Sequence, residues 1–447
     1  MRAAPAAPRG IIATSYASFV LIGWSSLLVP SLIRVIKGDF GQSDAGFGVL
    51  YLVSAALFAT GALSSGLLAD RIDRRAILPA AALLLATGLA GQALAPAWPV
   101  FVVGVALAGA GAGTLDAGVN GVVMDLSVTG HGSALSRLHL FYSVGALAAP
   151  LVVGSLVDAG VEWRQLVAAS GVAALAVALP LRAVGAVPAR HRAPRPDMAD
   201  PAPAGGAEAS AAPNAPCAPD APYAPDAPAA PHAPAAPPAT GGPAAGAARP
   251  DLRLPLAALG VAIACYVATE AGVSSWLVAF LSDEPMAVAT FALGMFWTGH
   301  AAGRLVASRV ADRFHPAPFA TSCVLFGAAA LAAAVVGPRG GLQVALFAAV
   351  GFGLGPVYPM IMTVAGAFCP HRAASVSGLL TAAGVAGSVV YPPLMGFVSD
   401  AAGLGAGMIG AAVLAVVCGL AVMAAGRSAT RRSGTGRAHH GRNAQVS

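Results

Sequence analysis

The sequence predicts an all-α integral membrane protein of twelve transmembrane helices arranged as two six-helix bundles. Three observations predict it. Of the 447 residues, 57% are hydrophobic and 10% charged, with a mean hydropathy of +0.75, whereas soluble domains carry about 25% charged residues. Apolar runs of about 20 residues, enough to cross roughly 30 Å of hydrocarbon, recur along the whole chain. They fall into two groups of six, separated by a stretch of quite different composition.

The first group is expected near residues 11–34, 46–69, 76–96, 98–122, 134–157 and 163–184. The second is expected near 252–281, 286–311, 317–337, 341–368, 373–398 and 403–426. This divides the chain into an N-terminal bundle (1–184), a linker (185–251), a C-terminal bundle (252–426) and a basic tail (427–447). The linker contains APDAPYAPDAPAAPHAPAAPPAT. Proline there removes backbone donors and alanine offers little surface to bury, so the segment is expected to be a disordered, polyproline-like tether.

Orientation follows from the arginines. Arg71, Arg74 and Arg75 follow the second span, Arg137 precedes the fifth, Arg309 and Arg313 follow the eighth, and Arg372 joins the tenth to the eleventh. Arg190, Arg192 and Arg195 of the linker and Arg427, Arg431, Arg432 and Arg437 of the tail fall on the same side, while the opposite loops hold Asp158, Glu162, Asp283 and Glu284. Positively charged loops stay inside, so both termini and the linker are expected in the cytoplasm of an inner (plasma) membrane protein. The net charge of +6 is then topological, and no nucleic-acid partner is expected because no basic run is interleaved with aromatics. Cys217, Cys265, Cys323, Cys369 and Cys418 make no CxxC or Cys/His cluster, so neither a disulfide framework nor a metal site is expected. No GxxxxGK[ST] loop is present, so any uphill work must draw on an ion gradient rather than on ATP or a bound cofactor. The expected partners are a small-molecule substrate and the bilayer, with the chain itself a monomer.

One loop is duplicated. GLLADRIDRRAIL (66–78) follows the second span, and GRLVASRVADRF (303–314) follows the eighth. Each puts a glycine where the helix nears the surface and then an Asp-Arg pair, Asp70-Arg71 and Asp312-Arg313. The first copy resembles the G-x-L-a-D-R-x-G-R-R signature of the major facilitator superfamily in Gly66, Leu68, Asp70, Arg71, Arg74 and Arg75; Asp73 stands where that family has its second glycine. The resemblance implies the two-bundle major facilitator fold and a cytoplasmic gate formed by this loop. Asp70 would satisfy helix N-termini and Arg74 would pair across the two halves in one of two states, with Gly66, Arg304, Asp312 and Arg313 as further gating candidates.

Within the spans, GAGAGTLDAGVN (109–120) carries a single acid. Gly109, Gly111 and Gly113 can let a neighbouring backbone approach closely. A charge at mid-membrane costs at least about 2.5–3.5 kcal/mol, so Asp116 should face a watery cavity, be protonated, or both. Asn120, one turn on, shares its face and could address the same ligand; a structural hydrogen bond between helices is the alternative. In CYVATEAGVSSWLVAFL (265–281), Tyr266, Glu270 and Ser274 recur every four positions, with Trp276 beside them. His139, Tyr142 and Ser143 share a face of the fifth span, and Trp297, His300 and Arg304 align along the eighth. Taken one at a time, such residues serve packing or interface anchoring; their convergence on a central cavity makes them candidate substrate contacts.

These segments resemble the fucose and glucose/galactose permease-like sugar:proton symporters, in GAGTLDAGVN, LHLFYSVGA, the acidic seventh span, and GFGLGPVYPMIM of the tenth, which contributes Tyr358. The resemblance implies proton-coupled sugar contact at Asp116 and Asn120. The first span, IIATSYASFVLIGWSSLLVPSLI, lacks the acid that the fucose permease has there, so proton coupling would rest on Asp116 and Glu270. The expectation is a secondary active transporter, not an enzyme, for a sugar or similar small polar solute. A proton-coupled exporter of amphiphilic compounds and a non-transporting membrane sensor are the alternatives.

Overall fold

The computed structural model describes residues 9–68, 72–126, 131–187, 253–368 and 373–443. Asp70, Arg71 and linker residues 188–252 lie outside them, and of Gly66 and Asp312 only the backbone is described. The described residues form helices: α1 (Arg9–Phe40), α2 (Asp44–Leu68), α3 (Arg74–Ala93), α4 (Trp98–Leu126), α5 (His131–Asp158), α6 (Trp163–Ala178) and α7 (Leu181–Gly185) in the first half. The second half contributes α8 (Arg253–Phe280), α9 (Met286–Val310), α10 (Pro316–Val336), α11 (Gly341–Leu354), α12 (Val357–Phe368), α13 (Ala373–Ala402) and α14 (Leu404–Asn443).

The twelve expected spans correspond to these helices once two interruptions are recognised. The sixth divides at Pro180 into α6 and the short α7, and the tenth divides at Gly355-Pro356 into α11 and α12. Among the described residues, ten spans are long and apolar enough to cross a membrane. The sixth falls short because α6 has 16 residues; α9 has 25 residues but carries His300, Arg304 and Arg309. Two boundaries also move. Helix α1 runs to Phe40 rather than 34, and α14 continues through Asn443 into the expected tail.

Successive spans reverse direction, so the helix ends sort onto two sides. One end carries the ends of α2, α4 and α12, the starts of α3, α5 and α13, and the 3-10 turn Ala311–Arg313 after α9. The opposite end turns at Gly41, Gly160, Gly340 and Gly403, each with positive φ, a conformation that glycine adopts without a Cβ penalty.

Glycine notches set the packing inside each half. A Cβ on Gly113 would lie 2.0 Å from the carbonyl oxygen of Phe58 in α2, and one on Gly111 would lie 2.4 Å from the amide of Leu85 in α3. The paved stretch of α4 therefore wedges between two backbones, as the sequence suggested. In the second half, a Cβ on Gly351 of α11 would sit 1.9 Å from Phe296 O of α9. Close backbone approach of this kind replaces the hydrophobic driving force that lipid cannot supply between helices.

Candidate functional site

The halves meet on two seams, α2 with α13 and α5 with α9, and along α1 with α8. The contacts that join them cluster at the end opposite the arginine loops. Asp400 near the end of α13 accepts from the first-turn amides of α2, Asp44 N and Ala45 N, each at 3.1 Å. On the other seam Asp158, the last residue of α5, accepts from Ala287 N in the first turn of α9 at 3.0 Å. The fifth helix of each half thus caps the second helix of the other, where orphan amides and the helix dipole favour a carboxylate. Ser399 also donates to Asp44, which pairs with Lys37, and Arg34 of α1 donates to the carbonyls of Ser282 (2.8 Å) and Glu284 (2.7 Å). At the α2/α13 crossing a Cβ on Gly396 would stand 2.4 Å from Asp44 O, and one on Gly48 would stand 2.6 Å from Pro393 O.

Beneath this closed end lies a cavity of about 350 Å³ between the halves. Ser25 and Ser26 of α1, Tyr51 of α2, Gln92 of α3, Tyr142 of α5 and Ser275 of α8 contribute polar groups to its wall. Val105, Ala108, Gly109 and Ala112 line it from α4, and Asp116 and Asn120 continue that face by helical periodicity. Asn120 Nδ2 donates to Asp116 Oδ2 at 3.3 Å, while Asn120 Oδ1 is buried without a partner among the described residues.

The second half brings a second polar cluster together. His300 Nε2 lies 3.4 Å from Glu270 Oε2 and 3.0 Å from the Tyr266 hydroxyl, and Tyr266 is also within hydrogen-bonding reach of Glu270 and Arg304. Tyr266 and His300 are almost wholly buried, at 1% and 2% exposed, so their polar atoms depend on each other and on Glu270. The local cause of Arg304's position is the helix break. The carbonyl of Gly355 would normally accept from residue 359, which is proline and has no N–H; Arg304 Nε donates to it instead at 3.2 Å. Trp297 packs edge-on to His300 at 5.3 Å between centroids, with its Nε1 buried and unpartnered among the described residues. Tyr358 meets the Tyr266 ring at 6.2 Å and its hydroxyl lies 3.2 Å from Thr381 Oγ1. Tyr142 of α5 lines the cavity and stands within electrostatic reach of both Asp116 and Glu270.

Other candidates are placed differently. Ser274 donates to the carbonyl of Glu270 at 2.6 Å, and Trp276 is fully buried with Nε1 bonded to Pro392 O at 2.9 Å, its ring edge-on to Tyr51. Ser274 is bonded within its own helix and Trp276 across to α13, and neither is part of the cavity wall. Ser143 likewise donates to His139 O at 3.1 Å. His139 packs edge-on to Phe19 at 5.4 Å and lies within electrostatic reach of Arg304 in the other half.

In the arginine loop, Arg74 pairs with Asp125 at the end of α4, within its own half, in this state. Asp73 accepts from Arg75 N at 2.9 Å as the N-cap of α3, with φ of −59°. At this departure from the family pattern the backbone does not need glycine; it gains a cap. Arg304, expected among the gate residues, belongs to the Tyr266 cluster, while Arg313 ends the 3-10 turn with an exposed side chain. Gln92, Ser25, Ser26, Tyr51 and Ser275 were not singled out from the sequence. Gln92 had a visible signal, a carboxamide inside the apolar run ALLLATGLAGQALA.

A polytopic helical protein whose two halves enclose a cavity with polar groups set in an apolar wall, sealed at one end and with half-buried acids near it, has the build of a membrane transporter. The chain belongs to the Major Facilitator Superfamily, whose sequence profile matches residues 14–284 and 254–444. It is 29% identical over 147 residues to the uncharacterized MFS-type transporter YfkL of Bacillus subtilis, covering 32% of this chain and 36% of that protein. It is 23% identical over 137 residues to sodium-dependent glucose transporter 1A of Mus musculus, covering 31% and 32%, and 25% identical over 150 residues to the glucose/mannose transporter GlcP of Bacillus subtilis, covering 34% and 37%. The chain thus spans about a third of the length of these relatives. Among solved structures, it superposes on a bacterial homologue of the human lysosomal transporter Spinster, in an inward-facing unoccupied conformation, with a TM-score of 0.68 at 15% identity, covering 93% of this chain and 96% of that one. The nucleoside transporter NupG superposes with a TM-score of 0.63 at 12% identity, covering 93% and 98%. The fold is the major facilitator fold.

Proposed function

We propose that this protein is a secondary active transporter that works by alternating access and takes up a sugar or a similar small polar solute with protons. The single observation carrying the reading is the cavity between the halves, sealed at one end by carboxylate caps and close-packed glycines, with Asp116 one turn beyond the lining residue Ala112 on α4 and Glu270 next to the lining residue Ala271 on α8. If the arginine loops are cytoplasmic, as the charge rule expects, this state faces inward and both termini lie in the cytoplasm. The partial relatedness to glucose and glucose/mannose transporters supports a sugar. Asp116 is the first choice for the proton, because its immediate partner is the neutral Asn120, whereas Glu270 is paired with His300. An acid without a fixed counter-charge can cycle between charged and neutral forms as the site changes its access to water.

Sealed proteoliposomes with an imposed proton gradient test this directly. Labelled hexoses should accumulate, and collapsing the gradient should abolish accumulation while exchange continues. Absence of uptake across a panel of hexoses, pentoses and polyols would overturn the sugar reading. Movement of a lipophilic cation in the same vesicles would move the assignment to the exporter, which the apolar wall residues Val29, Leu50, Phe58 and Leu89 would suit.

A further inference from the structure

Two buried polar groups in the cavity have no partner among the described residues. Gln92 is 2% exposed, lines the cavity, and its Oε1 makes no hydrogen bond. Ser25 Oγ, also in the lining, is buried and unpartnered in the same way. Neighbouring groups behave differently: Ser26 donates to Ile22 O at 2.8 Å, Ser388 to Val385 O at 2.9 Å, and Tyr51 to Ser275 O at 3.0 Å. A carboxamide held out of water with an idle acceptor is costly, and buried polar groups are almost always paired. An idle acceptor on a cavity wall therefore marks where a ligand's donor belongs.

The chemistry of the wall narrows that ligand. None of the described residues lining this cavity is Asp, Glu, Lys, Arg or His, so a charged solute would lose hydration here with no counter-charge to replace it. The ionisable groups lie elsewhere. Gln92 packs on Gly104, whose Cβ would fall 3.0 Å from Gln92 Cγ; Asp116 is twelve residues further along α4, about 18 Å of helix rise. A carboxamide offers an acceptor and two donors, and a serine hydroxyl offers both roles, a set that suits adjacent hydroxyl groups on an uncharged molecule.

We propose that Gln92 and Ser25, two idle groups on the wall of one cavity, are the hydrogen-bonding anchors for an uncharged, hydroxyl-bearing solute, with Gln92 spatially separate from the Asp116 carboxyl group that would carry protons. The proposal rests on the transport reading and deepens it. Solute recognition at Gln92 and proton handling at Asp116 then stand about 18 Å apart along α4. Substitution at the anchor should weaken binding without uncoupling, and substitution at Asp116 should uncouple without abolishing binding.

The test uses the full chain in nanodiscs, with Ser25→Cys placed in a background lacking the five native cysteines. The probes are D-glucose, D-galactose and myo-inositol as neutral ligands, and D-glucuronate and D-glucosamine as charged ones. At least one neutral probe should slow labelling of Ser25→Cys by a small uncharged maleimide, and the charged pair should not. In the native-sequence protein, Gln92→Leu should weaken binding of that neutral probe about tenfold or more, because a site built to hydrogen-bond a hydroxyl loses most when its partner is removed. Gln92→Asn, which keeps the carboxamide, should recover part of the loss, and Gln92→Leu should retain the gradient dependence of whatever uptake remains. Unchanged affinity in Gln92→Leu, or protection by charged probes equal to that by neutral ones, overturns the subsite. Absence of protection by every neutral probe overturns it too. In that case accumulation of a lipophilic cation by vesicles of the same protein would show that transport stands while the subsite fails.

Discussion

Replacing Gly396 by alanine puts a methyl group where the backbone of α2 already stands. Its Cβ would lie 2.4 Å from Asp44 O and 3.0 Å from both N and Cα of Gly48. These are backbone atoms, so no rotamer change relieves them; α2 and α13 must separate at the sealed end. Overpacking of this kind costs about 1–3 kcal/mol. That cost falls only on the state in which this crossing is closed, so it biases the equilibrium by roughly 5-fold to 150-fold toward the state open at that end. The readout is a cysteine at Ser275, in the cavity wall, in protein lacking the native cysteines. Membrane-impermeant thiol reagent applied from the side opposite the arginine loops should label Ser275→Cys faster in Gly396→Ala by that factor, while labelling from the arginine side slows. Gly260→Ala is the control, because a Cβ there meets nothing within 4 Å. If Gly396→Ala labels like Gly260→Ala from both sides, the α2/α13 crossing is not a gate.

Three further outcomes are expected. Asp116→Asn mimics a permanently protonated acid, so vesicles should exchange substrate but cease to accumulate it against a gradient; full accumulation would remove Asp116 from the coupling role. Asp400→Asn and Asp158→Asn each withdraw a charge from an exposed helix cap, and each should open the sealed end about twofold to fivefold, with the double variant adding the two effects because the seams are separate; a double variant no different from either single one would contradict independent latches. Deleting most of residues 190–248 while leaving about twenty should preserve insertion and transport, read by vesicle uptake; loss of uptake by a correctly inserted deletion would assign the Pro/Ala tract a role beyond tethering.

The spans, the duplicated halves and the acids set within apolar helices could be read from the sequence by itself, because each depends on local chemistry. An apolar run must satisfy its own backbone in lipid, which makes it helical, and helical spacing then places Tyr266 and Glu270, or Asp116 and Asn120, on one face. Which faces meet is decided between residues far apart in the chain, and only the tertiary structure settles it. In this state Arg74 pairs with Asp125, 51 positions on, because α3 and α4 pack together. Trp276 looked like a ligand contact and is instead bonded 116 positions away to Pro392. Asp400 caps α2 from 356 positions away, and no spacing rule foretells that pairing. Glu270, His300 and Arg304 form one cluster because glycines let α9 and α11 touch and Pro359 leaves a carbonyl free for Arg304. Periodicity specifies a helix face from hydrogen bonds four residues long; the partner of that face follows from steric fit between whole helices, a property held by no single stretch of sequence.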